Sequence, residues 1–311
     1  MKLFEENKPK QDAAMIISQL LNEFKEVSGS VATQMISPSG LACQVACALK
    51  LNGIPTEPQK ESFQSRGFAE NGEDRHKRIQ SFLSKSPYWV DVADYVKKKK
   101  LNIEVVTNEM RVKKKRDNYI EEFSQLNGKA SVEGLTKDED ERFKHLSEWL
   151  SIPDEVHIRK MHDDDPYETL LQHKELPVRF KCDGMLLIDG VYYVLEIKTE
   201  RSQANVFRTT YDPKHQKQGI TYTTLLHTDN ILWLYEGRDY LEQKLFVQKV
   251  KVDEKQEMLK YLHEIVDNKD KIENLHQDPK SCNYCPYKKY CRNYFKEYKK
   301  KLKEEAKNET N

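Results

Sequence analysis

The stretch that most constrains this chain spans residues 179–200, RFKCDGMLLIDGVYYVLEIKTE. Asp189-Gly190 is a two-residue hairpin turn between two apolar runs, because both central positions of such a turn need a positive φ. With those two residues as the loop, Ile188 stands opposite Val191, and the same register sets Asp183 opposite Glu196. Side chains alternate along a strand, so Lys198 shares a face with Glu196. Apart from this face the second strand is apolar on both sides, with Tyr193, Leu195 and Ile197 on one and Tyr192 and Val194 on the other. Two opposed carboxylates repel each other, and burying them unpaired costs several kcal/mol. A divalent cation between them removes that cost, and oxygen ligands favour Mg²⁺ or Mn²⁺. With Lys198 alongside, this is the equipment of metal-assisted phosphodiester hydrolysis. The pattern alone leaves a second reading open, an edge hairpin whose Asp, Glu and Lys face solvent.

The 311-residue chain has room for one large domain or two small ones. It holds no run of about 18 apolar residues that could span a membrane. The opening MKLFEENKPKQ lacks the apolar core of a secretory signal, so a cytoplasmic location is expected. Basic and acidic residues nearly cancel, 52 against 51, but the basic ones cluster at 97–100, 113–116 and 296–303. Clusters of that kind permit a nucleic-acid partner or form solvated helix faces.

Helical spacing is expected at 11–27, 40–52, 73–84 and 107–150, with a strand at 101–106. Beyond residue 154 the period shortens, and strands are expected at 156–160, 168–173, 179–188, 191–198, 230–235 and 244–250. Helices are expected at 213–227 and 253–274, followed by a Cys-rich loop at 279–292 and a charged tail. A helical first part, a central sheet and a helical end predict one mixed α/β unit. Within the 213–227 helix, His215, Gln218 and Tyr222 share a face.

Six cysteines in a reducing compartment suit metal ligation better than disulfides. Cys282, Cys285 and Cys291 follow the spacing C-x2-C-x5-C, and three thiolates need a fourth ligand to close a tetrahedral set. Cys43, Cys47 and Cys182 are the upstream candidates. Spacing does not separate a zinc site from an iron–sulfur cluster.

The order D-(x)12-E-x-K formed by Asp183, Glu196 and Lys198 resembles the PD-(D/E)XK nuclease motif, with Cys182 where a proline often precedes the aspartate. Ser37-Pro38-Ser39-Gly40-Leu41, followed by Cys47 and then by Cys282, Cys285 and Cys291, is similar to the iron–sulfur RecB-type branch, which includes the AddB nuclease domain and CRISPR-associated exonucleases. The resemblance covers residues 37–292. It implies a restriction-endonuclease-like α/β core, a mixed sheet flanked by helices, and a [4Fe–4S] cluster on Cys47, Cys282, Cys285 and Cys291. Cys43 is then left over as a buried small hydrophobe. Gly72 to His76 is similar to the family's G-x-x-x-H helix, which adds His76 to the metal shell beside Asp183 and Glu196, and Ile197 lends its backbone carbonyl. Imidazole suits Mn²⁺ better than Mg²⁺. Gln218 and Tyr222 match a Q-x-x-x-Y element that contacts phosphate or nucleotide. Glu168, upstream of Asp183, is a further acidic candidate but is assigned no role.

The resemblance therefore implies a nuclease domain at 37–292, an N-terminal helical extension at 1–36 and a charged tail at 293–311. The expected activity is that of a metal-dependent DNA exonuclease preferring single-stranded or frayed ends, serving recombination, repair, or phage or CRISPR DNA processing. Alternatives are a structure-selective endonuclease on the same core and a non-catalytic DNA-binding module with a structural cluster. No P-loop sequence is present, so an unwinding helicase or other recombination partner would be a separate chain.

Overall fold

The computed structural model describes residues 25–28, 34–57, 59–160, 167–283 and 285–308. Strand β1 (Lys25–Ser28) pairs antiparallel with β2 (Gln59–Ser62), and helix α1 (Gln44–Leu51) lies between them in sequence. Helices α2 (Phe63–Leu83) and α3 (Val92–Lys98) lead to β3 (Ile103–Val105). Three charged helices follow, α4 (Asn108–Val132), α5 (Lys137–Ser151) and α6 (Asp154–Lys160). Strands β4 (Leu171–His173) and β5 (Arg179–Phe180) join β3 in a small antiparallel sheet of order β3-β4-β5. The main sheet holds β6 (Gly184–Ile188), β7 (Val191–Glu200), β8 (Asn230–Gly237) and β9 (Gln243–Lys249) in that order. Helices α7 (Ser202–Val206) and α8 (Gln216–Leu225) connect β7 to β8, and α9 (Val252–Asp267) and α10 (Lys288–Asn308) close the chain.

The fold is thus a mixed α/β sheet flanked by helices. β6 and β7 run antiparallel, β7 and β8 parallel, and β8 and β9 antiparallel. Parallel neighbours need a crossover, and α7 and α8 supply it. The hairpin register is the expected one, from Ile188 opposite Val191 to Gly184 opposite Leu195. Asp189 and Gly190 take the positive φ that their turn demands, 50° and 79°. Residues 88–90 add backbone pairing on the other edge of β6, with Leu187 N donating to Tyr88 O at 2.8 Å and Val90 N to Met185 O at 2.9 Å. β7 is therefore central, and the solvent-facing edge hairpin is excluded.

Alternation along β7 divides the molecule. Leu195 and Ile197 face α2 and pack with Ile79 and Leu234. Val194 faces the other way, into the larger core with Ile220, Tyr222, Trp233, Tyr235 and Leu262. α2 is pinned to the sheet by a buried charge, Glu236 on β8. Arg78 Nη2 reaches its Oε1 at 2.7 Å, Arg75 Nη1 reaches the same oxygen at 3.0 Å, and Gln243 Nε2 reaches Oε2 at 2.9 Å. Burial pushes the Glu236 pKa up, but these donors outweigh it and hold the carboxyl below its ordinary value.

Several expected elements differ. The helix expected at 11–27 falls mostly outside the described residues, and its end, 25–28, is strand β1, fixed by pairing with a segment 34 residues later. The strand expected at 156–160 is part of α6. Pro153 opens that helix, Asp154 and Glu155 occupy its first turn, and His157 stacks on Trp149 with centroids 3.9 Å apart. Alternating Val156 and Ile158 mimicked a strand there. The helix expected at 40–52 is divided into a 3-10 turn at Pro38–Gly40 and α1, with extended Cys43 between them.

Candidate metal centre and cysteine-lined cavity

Asp183 lies immediately before β6 and Glu196 in the middle of β7, and both are buried, at 8% and 3% exposure. Asp183 Oδ2 accepts a hydrogen bond from Ile197 N, so Ile197 meets Asp183 through its N–H. Asp183 Oδ1 lies 3.5 Å from His76 Nδ1. Burial alone lowers the His76 pKa, but its bond to Asp183 and the charges of Asp183 and Glu196 raise it overall. The same helix face of α2 carries Gln80 one turn later. Gln80 Nε2 donates to Asp183 O at 2.9 Å and reaches Glu168 Oε1 at 3.4 Å. His76, Glu168 and Asp183 each offer one ligand atom within 4.8 Å of the others.

On the α8 side, Glu196 Oε1 accepts from Lys198 Nζ at 2.6 Å and from Gln218 Nε2 at 2.7 Å. Gln218 Oε1 accepts from Lys198 Nζ at 3.1 Å, and Gln218 Nε2 donates to Tyr222 OH at 2.9 Å. Four expected residues thus form one connected network. Glu196 Oε2 is buried with no hydrogen-bond partner among the described residues, which costs about 1–3 kcal/mol. Burial, then the charge of Asp183, raises the Glu196 pKa. Burial, then Glu196, raises that of Tyr222 well above a phenol's usual value. His215 turns away from this network. Its Nδ1 lies 3.1 Å from Tyr235 OH, and burial and the charge of Lys198 lower its pKa to about 4.

The arrangement fits a divalent cation. Carboxylate oxygens, one imidazole and an orphaned carboxylate oxygen are a hard, mixed O/N donor set, the kind that holds Mg²⁺ or Mn²⁺. The expected set was His76, Asp183 and Glu196 with Ile197. The structure adds Glu168, and it leaves Glu196 outside the tight group with one oxygen bonded and one vacant. Glu168 precedes β4 and reaches Asp183 only through tertiary folding. Gln80 was not singled out from the sequence, although it stands four residues after His76 on one helix.

The second feature is a cavity of about 1400 Å³ between α1, the start of α8, the 276–287 segment and α10. Cys43, Cys47, Cys282, Cys285 and Cys291 all line it, bringing together segments more than 230 residues apart. Burial first, then Cys43, pushes the Cys47 thiol up to about 12 and the Cys291 thiol to about 11. Cys182 does not line the cavity and sits in the main core at 1% exposure. Cys43, expected as a buried hydrophobe, is only half-buried and faces the same space, because it is the extended residue ahead of α1 rather than part of the helix. The cavity therefore holds one thiol more than a four-cysteine set.

Among the described residues, no helix is long and apolar enough to cross a membrane. No protein-family model matches the chain, and no curated protein matches it. Among solved structures, the alkaline exonuclease LHK-Exo from Laribacter hongkongensis is 15% identical with a TM-score of 0.29, the match covering 38% of this chain and 66% of that one. The protein SSO0001 is 16% identical with a TM-score of 0.28, the match covering 69% of this chain and 93% of that one.

Proposed function

We propose that the chain is a metal-dependent DNA exonuclease of the RecB-like PD-(D/E)XK type, with residues 37–292 as its nuclease domain. One observation carries the reading. A vacant, buried Glu196 oxygen lies in a network with Lys198, Gln218 and Tyr222, on the same sheet end as the His76, Glu168 and Asp183 group. His76, Glu168, Asp183 and Glu196 would hold Mg²⁺ or Mn²⁺, which supplies charge neutralisation at the scissile phosphate and acidifies water. Lys198, held against Glu196, orients the attacking water against the phosphorus. Gln218 holds Lys198 and Glu196 in register, and Tyr222 fixes Gln218 through its hydroxyl. Gln80 holds the Asp183 backbone, and with it the angle at which the carboxylate enters the site.

Cys47, Cys282, Cys285 and Cys291 would hold a [4Fe–4S] cluster, whose contribution is to join α1 to the C-terminal segment. Four thiolates around one zinc stand about 3.8 Å apart, and a four-iron cluster needs a wider ring. Among the described residues no three of these thiols lie within 4.8 Å of one another, a spread nearer the wider ring. Single-stranded or frayed ends are the proposed substrate, and any unwinding motor would be a partner chain.

Linear and covalently closed circular single-stranded DNA of one sequence, incubated with Mn²⁺, test the exonuclease. Degradation of the linear form alone is expected. Equal loss of both overturns the end-dependent reading in favour of an endonuclease on the same core.

A further inference from the structure

The cysteine-lined cavity carries a charge pattern that thiol ligation leaves unexplained. Among the described residues, eight basic side chains line it against one acidic one, Asp278. Four of the eight, Lys288, Arg292, Lys296 and Lys299, come from α10, and their spacing of four, four and three residues places them on one helix face. Cys291 and Phe295 share that face and line the same space. Among the described residues, none of those four bases has a carboxylate within 4.0 Å. From Cys291 to Lys299 the basic face runs about 12 Å along the helix axis, well past the thiols.

The opposite wall ties the cavity to the metal centre. Lys217 lines the cavity, its Nζ 3.1 Å from Tyr261 OH. The next residue, Gln218, points to Glu196 and Lys198. Adjacent residues of α8 therefore face the two sites. A groove wall whose α10 cations have no carboxylate partner among the described residues, with an aromatic ring along it, is the construction that tracks a single nucleic-acid strand, with cations on phosphates and the ring under a base.

Resting on the nuclease reading above, we propose that the α10 face of this cavity is a binding track for single-stranded DNA, with Arg292, Lys296 and Lys299 on the phosphate backbone and Phe295 as a stacking platform. The strand passes the first turn of α8 to reach the metal centre.

The test compares the full-length protein with a triple variant, Arg292→Gln, Lys296→Gln and Lys299→Gln. The control is Lys249→Gln, Lys251→Gln and Lys260→Gln, three exposed lysines that do not line the cavity. Binding of a fluorescent single-stranded oligonucleotide is followed by anisotropy over a salt series in EDTA, where no cleavage occurs. Each phosphate contact contributes about 0.7 to the slope of log affinity against log salt on single strands. The track variant should therefore lose about 2 from the slope, and the control should lose none. Phe295→Leu should weaken binding about fivefold or more at unchanged slope. Visible absorption and circular dichroism report that each variant keeps its fold.

An unchanged slope in the track variant, or equal losses in track and control, overturns the proposal. The nuclease reading is read separately, from Mn²⁺-dependent hydrolysis of the p-nitrophenyl ester of thymidine 5′-phosphate, too short to reach α10. Wild type and track variant should hydrolyse it alike. If neither does while the slope falls as expected, the track stands and the nuclease reading fails.

Discussion

Gly219 is the tightest point in the link between sheet and site. A Cβ there would lie 2.2 Å from Ile231 Cδ1 and 2.7 Å from Trp233 Cζ2. The Ile231 methyl can rotate, but Trp233 is fully buried and its Nε1 is held by Gln248 Oε1 at 3.0 Å. Restoring an ordinary carbon–carbon contact of about 3.6 Å requires α8 to rise by about 1 Å. Gln218, one residue away, would then lose its 2.7 Å bond to Glu196. Overpacking costs about 1–3 kcal/mol, and the better helix propensity of alanine returns up to about 1 kcal/mol. Gly219→Ala should therefore unfold in urea with about 1–2 kcal/mol less stability. Its cleavage of linear single-stranded DNA should fall about 100-fold, the effect of a 1 Å misplacement in a catalytic site. If Gly219→Ala is instead more stable than wild type and cleaves at the wild-type rate, α8 is not seated on β8 as described.

Further outcomes follow from the charges and thiols. Burial and Asp183 raise the Glu196 pKa in the fold. The uncharged form is thus the favoured one, and its stabilising contribution is complete below the usual carboxylate range and lost as pH rises through the raised value. In EDTA, the Tm of wild type should fall relative to Glu196→Gln from about pH 5 upward, because the unfolded carboxyl titrates near its usual value of about 4.3; parallel Tm curves would refute the buried-charge argument. Saturating Mn²⁺ should raise the Tm of wild type and raise that of Asp183→Ala far less, as measured by calorimetry. Anaerobically purified protein should be brown, and Cys47→Ser, Cys282→Ser, Cys285→Ser and Cys291→Ser should each lose the colour and much solubility, whereas Cys182→Ser and Cys43→Ser should keep it. Loss of colour in Cys43→Ser but not in Cys47→Ser would move the fourth ligand to Cys43, and a colourless folded protein with stoichiometric zinc would refute the cluster.

What could be read from sequence was what local chemistry decides. Asp189-Gly190 sets the hairpin register residue by residue, and Asp183, Glu196 and Lys198 follow from it. The spacing of Gln218 and Tyr222 sets one helix face, and both side chains join the same network. What escaped depends on distant partners. α2 starts ten residues before its expected beginning, and in its second half Arg75 and Arg78 hold Glu236, a buried charge on β8 that no periodicity announces. α6 looked like a strand because the Trp149–His157 stack that defines it is tertiary. Glu168 reaches His76 and Asp183 only once the small sheet has formed. Cys43 was misjudged by assuming one unbroken helix from residue 40, whereas the chain is extended there and turns that thiol toward the cavity.

The central claim is that the buried Asp183, Glu196 and Lys198 constellation cleaves DNA with a divalent metal. It is tested most directly by incubating purified wild type and Lys198→Ala with end-labelled single-stranded DNA and Mn²⁺, and resolving the products on a denaturing gel. Wild type should shorten the DNA in Mn²⁺ and not in EDTA, and Lys198→Ala should bind it and leave it intact. Intact DNA in every lane, or cleavage by Lys198→Ala at the wild-type rate, would contradict the account.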